Sequence, residues 1–154
     1  VWLALVAFVA AAQAAGVIGI PFTDRGTDSW YSQLEVPPFN PPSWVFAPVW
    51  TTLYLLIGIA AWATWRRPDS PRRDRALVAW WVQLALNAAW TPLFFGAQRP
   101  GWALAEIVVL WLAAALTWRW LARCSTASAW LFAPYMAWIS FAVVLNASIV
   151  GLNA

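Results

Sequence analysis

Residues 76–95 read ALVAWWVQLALNAAWTPLFF, twenty residues without a charge. At a rise of about 1.5 Å per residue, a helix of that length matches a hydrocarbon core of about 30 Å. Two of its residues are out of place in lipid. Gln83 and Asn87 stand four apart, Trp90 follows three later, and Phe94 continues the same helical face. Amides inside a membrane helix turn toward protein or a polar cavity. One reading makes them interhelical bridges, worth about 0.6 kcal/mol each on average. The other makes them the lining of a pocket. Spacing alone supports both equally.

Four more apolar stretches, 2–20, 42–65, 102–122 and 128–152, have comparable length. No segment alternates with period two over the length of a barrel strand. These features predict an all-α membrane protein, a bundle of five transmembrane helices forming one domain over 1–154. The string AAQAAG at 11–16 resembles a signal-peptidase site. No basic residue precedes the apolar core, and the run continues to Ile20, so a retained helix is the expectation. The connection 21–41 is long and carries Trp30, Tyr31, Leu34 and Phe39 as apolar anchors. It reads as a packed lid over a pocket. Asn40 before Pro41 and Pro42 reads as a helix cap. Pro92 and Pro134 are expected to kink helices three and five.

Composition narrows the function classes. The chain is 63% hydrophobic and 10% charged, with mean hydropathy +0.65. A soluble domain has about 25% charged residues, so a soluble enzyme, a nucleic-acid binder and a disordered chain are all disfavoured. With no His and only Cys124, the chain offers no Ser-His-Asp triad, no His-bearing zinc site, no His-ligated haem and no intrachain disulfide. No metal site is expected. Cys124 reads as a small filler. All nine basic residues are Arg. Seven (Arg66, Arg67, Arg72, Arg73, Arg75, Arg119, Arg123) fall on the side of the N-terminus, and two (Arg25, Arg99) on the other. Were the chain in a bacterial inner membrane, this bias would place the N-terminus in the cytoplasm and the long loop outside.

Most of the 15 Trp suit the membrane interface: Trp2, Trp30, Trp44, Trp65, Trp80, Trp81, Trp102, Trp118, Trp120 and Trp130 lie near helix ends. Trp50, Trp90 and Trp138 lie deeper, near polar residues. Tyr135, Trp138, Ala142 and Asn146 share a face of the fifth helix, with small Ala142 leaving room for a planar ligand. Trp50 and Tyr54 stand one turn apart on the second. Trp50, Trp90 and Trp138 are expected to line one cavity in the outer half of the bundle, under the loop. Glu106 is the one carboxylate in an apolar stretch. It reads as a helix-dipole partner, with Arg99 nearby.

Three strings carry a resemblance: WYSQLEVPPFNPPSWVFAPVWTTLY (30–54), QLALNAAWTPLFFG (83–96) and PYMAWISFAVVLN (134–146). Together they resemble the TspO/MBR family, the tryptophan-rich sensory proteins related to the mitochondrial translocator protein. The resemblance covers nearly the whole chain. It implies a five-helix bundle, often a homodimer, that binds porphyrins, haem and aromatic drug-like ligands under the first loop. It maps pocket positions onto Trp30, Tyr31, Asn87, Trp90 and Ala142. Trp50 and Trp138 match two Trp implicated in light- and oxygen-dependent degradation of protoporphyrin IX by some bacterial members. The Tyr and downstream Arg associated with cholesterol in animal members have no counterpart in VLNASIVGLNA at 144–154.

The expected function is therefore an integral membrane tetrapyrrole-binding protein, a sensor or regulator of tetrapyrrole metabolism. Its ligand would be protoporphyrin IX or haem, and it would require no cofactor. Trp30, Tyr31, Trp50, Tyr54, Gln83, Asn87, Trp90, Tyr135, Trp138, Ala142 and Asn146 are the expected ligand-binding residues. One alternative is an enzyme that destroys porphyrin photo-oxidatively through Trp50 and Trp138. Another is a carrier of porphyrin or sterol-like molecules, though no inverted repeat or buried charge network supports it. Arg25 on the lid is a candidate partner for a propionate. Ala85 and Ala89 on helix three form a small-residue contact for a homodimer.

Overall fold

The computed structural model describes residues 1–27 and 30–154, and the side chains of all of these except 24–27. Five α-helices account for most of them: α1 (Trp2–Thr27), α2 (Ser43–Trp65), α3 (Pro71–Thr91), α4 (Pro100–Cys124) and α5 (Thr126–Leu152). Each contains a segment long and apolar enough to cross a membrane. No strand occurs among the described residues. The protein is an all-α, multi-pass membrane bundle.

The helices form a ring. α1 packs on α2, α2 on α5, α5 on α4, α4 on α3, and α3 closes back onto α1. Large apolar side chains point outward on every helix, among them Val6 and Ile18, Leu55, Val78 and Val82, Leu112 and Leu116, and Val144. Such a surface suits lipid and would be a liability in water. The inside is built from small and branched residues that let the helices approach closely, including Ala12, Ile57, Ala60, Ala61, Ala114 and Ile139.

Several boundaries differ from the sequence expectation, each for a local reason. α1 continues seven residues beyond Ile20, through Pro21, to Thr27. Proline removes one helical donor, but the final turns rest against the end of α3, where Phe22 packs at Gly96. The lid is correspondingly shorter than 21–41. Arg25 lies on these last turns, and its side chain is outside the described residues. α3 starts at Pro71, earlier than 76, because the Ser70 hydroxyl accepts from the Arg73 amide at 3.3 Å and Pro71 needs no donor there. α5 is likewise capped by Ser125, which accepts from the Ser128 amide at 3.3 Å. Asn40 does not cap α2. Pro42 occupies the cap position without a side-chain bond, and Asn40 instead accepts from the Tyr31 hydroxyl at 3.2 Å.

The two prolines also part ways. α5 runs uninterrupted through Pro134. Pro92 ends α3 and opens a wide turn, Pro92–Gly96, in which the Ala97 amide donates to the Pro92 carbonyl at 2.8 Å. Such π turns replace the missing i→i−4 bond by one a residue longer. Trp80, read as an interface residue, is fully buried, and its indole donates to the Ile57 carbonyl at 3.0 Å. An indole can leave the interface when its N–H finds an acceptor inside.

α1 approaches α2 closely at Gly58, where an added Cβ would lie 2.8 Å from the Val9 Cα. Gly58→Ala should therefore cost about 1–3 kcal/mol by forcing two backbones apart. Gly151→Ala, which meets open space, should cost nothing. Thermal unfolding of the detergent-solubilised protein distinguishes the two.

Candidate ligand site

The ring interior is polar at one level. Tyr54 of α2 donates its hydroxyl to Asn87 Oδ1 of α3 at 2.5 Å. Asn87 Nδ2 donates to the Tyr135 hydroxyl of α5 at 3.0 Å. Tyr135 in turn donates to Gln83 Oε1, back on α3, at 2.7 Å. Four buried side chains from three helices thus form one chain, and α3 and α5 are joined across the ring by side chains rather than by close backbone packing. The same-face spacing of Gln83 and Asn87 sends both to the interior. Gly16 of α1 leaves room for the Tyr54 ring, which a Cβ would meet at 2.6 Å. Gln83 Nε2 is enclosed without a partner.

Two aromatic groups lie around this chain. The first lines the seam of α2 and α5. Trp50 stacks on Tyr54 with centroids 5.3 Å apart, and meets Trp138 edge-on at 6.3 Å and Tyr135 at 6.4 Å. Trp138 also contacts Phe46 at 6.0 Å and Phe141 at 5.4 Å. Both indoles are half-buried. Ala142, also half-buried, follows Trp138 by one turn.

The second group lies at the end of α3. Trp90 stacks on Phe94 at 4.9 Å, and Trp30 meets Phe94 edge-on at 5.7 Å. Tyr31 contacts Phe94 at 6.2 Å and Phe95 at 5.5 Å. The Trp90 indole donates to Asn146 Oδ1 at 3.2 Å, and Asn146 Nδ2 donates to the Pro100 carbonyl at 3.0 Å. Trp90 therefore belongs to a wall of its own, and Phe46 and Phe141 pack against both groups. In this structure the rings of each wall touch one another, so a planar ligand must part them to enter.

The segment preceding α2 covers this end of the bundle. Its 3₁₀ turn, Tyr31–Gln33, seats Trp30 and Tyr31 on the π turn. Further along, Phe39 meets Phe141 at 6.3 Å. The Glu35 amide donates to Asn153 Oδ1 at 2.9 Å, and Asn153 Nδ2 returns a bond to the Glu35 carbonyl at 2.8 Å. Burial pushes the Tyr31 phenol above its ordinary pKa, while its bond to Asn40 acts the other way. The hydroxyl thus stays protonated and able to donate well past neutral pH.

Some features lay outside the sequence reading. Phe46 and Phe141 complete the first wall; they stand four before Trp50 and three after Trp138, a same-face spacing that signals both. Trp111 of α4 donates to Ser140 Oγ of α5 at 2.8 Å, tying the far side of the ring. Glu106 makes no ion pair with Arg99. Both its carboxylate oxygens are enclosed on α4 without a hydrogen-bond partner. Among the described residues, no group of His, Cys, Asp and Glu is placed to hold a metal ion.

The amino-acid sequence has relatives among known proteins. The sequence profile of the TspO/MBR family matches residues 8–152. The chain belongs to the TspO/MBR family. It is 42% identical over 152 residues to the tryptophan-rich protein TspO of Archaeoglobus fulgidus, covering 99% of this chain and 98% of that one. It is 38% identical to the tryptophan-rich sensory protein of Cereibacter sphaeroides, over 99% and 92% of the two chains. It is 36% identical to the human translocator protein, over 94% and 87%.

The hydrogen-bond chain carries a stability consequence. Tyr135→Phe leaves both Asn87 Nδ2 and Gln83 Oε1 unpaired, whereas Tyr54→Phe strands only Asn87 Oδ1. The first should cost about 1–3 kcal/mol and the second about half as much. Comparing the midpoints of thermal unfolding checks the order.

Proposed function

We propose that this member of the family binds a tetrapyrrole, protoporphyrin IX or haem, between the helices beneath the segment that precedes α2, and senses its level in the membrane. The observation that carries this reading is the perpendicular contact of Trp50 and Trp138 at 6.3 Å, backed by the buried Tyr54–Asn87–Tyr135–Gln83 chain. Half-buried indoles offer flat apolar area. The amides behind them supply direction, and Gln83 Nε2 is an enclosed donor still without an acceptor. A macrocycle would be held among these residues by stacking once the touching rings part. The chain contains no His for axial ligation of iron, so affinity would rest on the ring system. Names given to relatives, sensory protein and translocator protein, accord with a membrane binding role.

A second reading is favoured by one feature. Trp138, Trp50 and Tyr54 form an unbroken series of ring contacts at 6.3 and 5.3 Å. An indole of this series would stand against the porphyrin as its electron-exchange partner. In that reading a bound porphyrin supplies light absorption, dioxygen is the oxidant, and the chain positions the reactants and excludes water.

A homodimer and an orientation belong to the same proposal. Val78, Val82, Ala85 and Ala89 form one exposed stripe on α3, and the two alanines permit close helix contact. The Arg excess at the α2–α3 connection would face the cytoplasm.

Titration with protoporphyrin IX should quench Trp fluorescence saturably; no saturation would overturn the binding reading. On illumination of the complex, Trp50→Phe and Trp138→Phe should each slow bleaching of the Soret band about tenfold. Unchanged bleaching would reject the photo-oxidative role while leaving binding intact. Ala85→Leu should shift the solubilised protein toward monomer on size-exclusion chromatography, and an unchanged profile would reject α3 as the contact.

A further inference from the structure

The end of the bundle away from the indole walls holds a hollow that tetrapyrrole binding does not use. Its volume is about 550 Å³, and Arg67, Ser70, Arg72, Arg73, Arg75 and Arg123 contribute to its lining. These residues come from the α2–α3 connection, the first turns of α3 and the last turn of α4.

Charge at this end is unbalanced. Seven Arg lie here against two carboxylates, Asp69 and Asp74, and both carboxylates pair with Arg73. Arg67, Arg72, Arg75 and Arg123 therefore face the hollow without a carboxylate partner among the described residues. Three of them are held in place by neutral groups. Arg67 donates to Ser125 Oγ at 3.1 Å. Arg75 and Arg123 both lie over the Trp120 ring, at 5.4 and 4.9 Å from its centroid. The Arg72 side chain makes no hydrogen bond or ion pair among the described residues. Planar guanidinium groups fixed in this way suit the paired oxygens of a phosphate better than ammonium groups would. The α3 N-terminus adds its dipole from the same side.

Location selects among phosphates. Trp120 sits beside the hollow, and Trp118 is exposed at the same end, both suited to headgroup depth. From there, exposed apolar residues continue down α4: Leu116, Leu112 and Val109. A headgroup in the hollow would have its acyl chains against these residues.

We propose that this hollow is a specific site for the phosphodiester headgroup of an anionic membrane lipid. The site is independent of the tetrapyrrole proposal, since it shares no residue with the indole walls.

The test is native mass spectrometry of the detergent-solubilised full chain with phosphatidylglycerol. Phosphatidylcholine of the same acyl chains and inorganic phosphate serve as the other arms. Phosphatidylglycerol should bind at least about tenfold more tightly than phosphatidylcholine. Arg72→Gln and Arg123→Gln should each weaken it about fivefold. Arg66→Gln removes the same charge from the same end but outside the hollow, where Arg66 lies over the Trp62 ring, and should change binding less than about twofold. Equal binding of the two lipids would overturn the proposal. So would equal weakening by Arg72→Gln and Arg66→Gln, which marks diffuse surface charge. Displacement of the lipid by an equal concentration of inorganic phosphate would replace it with a soluble-anion site. The Arg72 side chain makes no hydrogen bond or ion pair among the described residues, so its variant reads the site with little cost to folding; helical circular dichroism of each variant checks this.

Discussion

Asn87 is the residue on which the interior depends. Its amide accepts from a tyrosine of α2 and donates to a tyrosine of α5. Within a bilayer a buried polar group must find its partners inside the protein. The three helices are thereby locked in rotation relative to one another. Once Tyr54 is turned inward, Trp50 stacks on it, and Trp138 closes against Trp50. The aromatic wall is thus a consequence of the polar chain behind it. The absent side chain at Gly16 lets α1 close over the same tyrosine.

The covering segment depends on a different constraint. Pro92 cannot donate, α3 opens into a wide turn, and Phe94 and Phe95 become the seat for Trp30 and Tyr31. The reciprocal bonds of Glu35 and Asn153 hold the segment to the end of α5. Among the described residues the covered end is therefore aromatic and holds no ion pair, while the opposite end gathers guanidinium groups. This polarity separates an apolar, ring-lined end from a cationic one within a single small bundle.

Much of this was legible in the residues. Gln83, Asn87 and Trp90 recur at helical spacing, and all three point to partners across the ring. The same spacing on α5 brings Tyr135, Trp138 and Asn146 to the interior side. Other signals misled because a distant partner outweighed a local preference. The apolar run reads as ending at Ile20, yet packing against the end of α3 carries α1 on through Pro21. Asn40 reads as a cap, yet the Tyr31 hydroxyl engages it. Trp80 reads as an interface indole, yet the Ile57 carbonyl draws it into the core.

Length of apolar runs, helical period and the siting of Arg are properties of neighbouring residues. They suffice for five membrane helices, their inward faces and the charged end. The order α1–α2–α5–α4–α3 around the ring is another matter, as is the division of the indoles into two walls. Both arise from complementarity between segments far apart in the chain, where the fit of Tyr54 to Asn87 or of Phe46 to Trp138 depends on three-dimensional approach that no local pattern encodes.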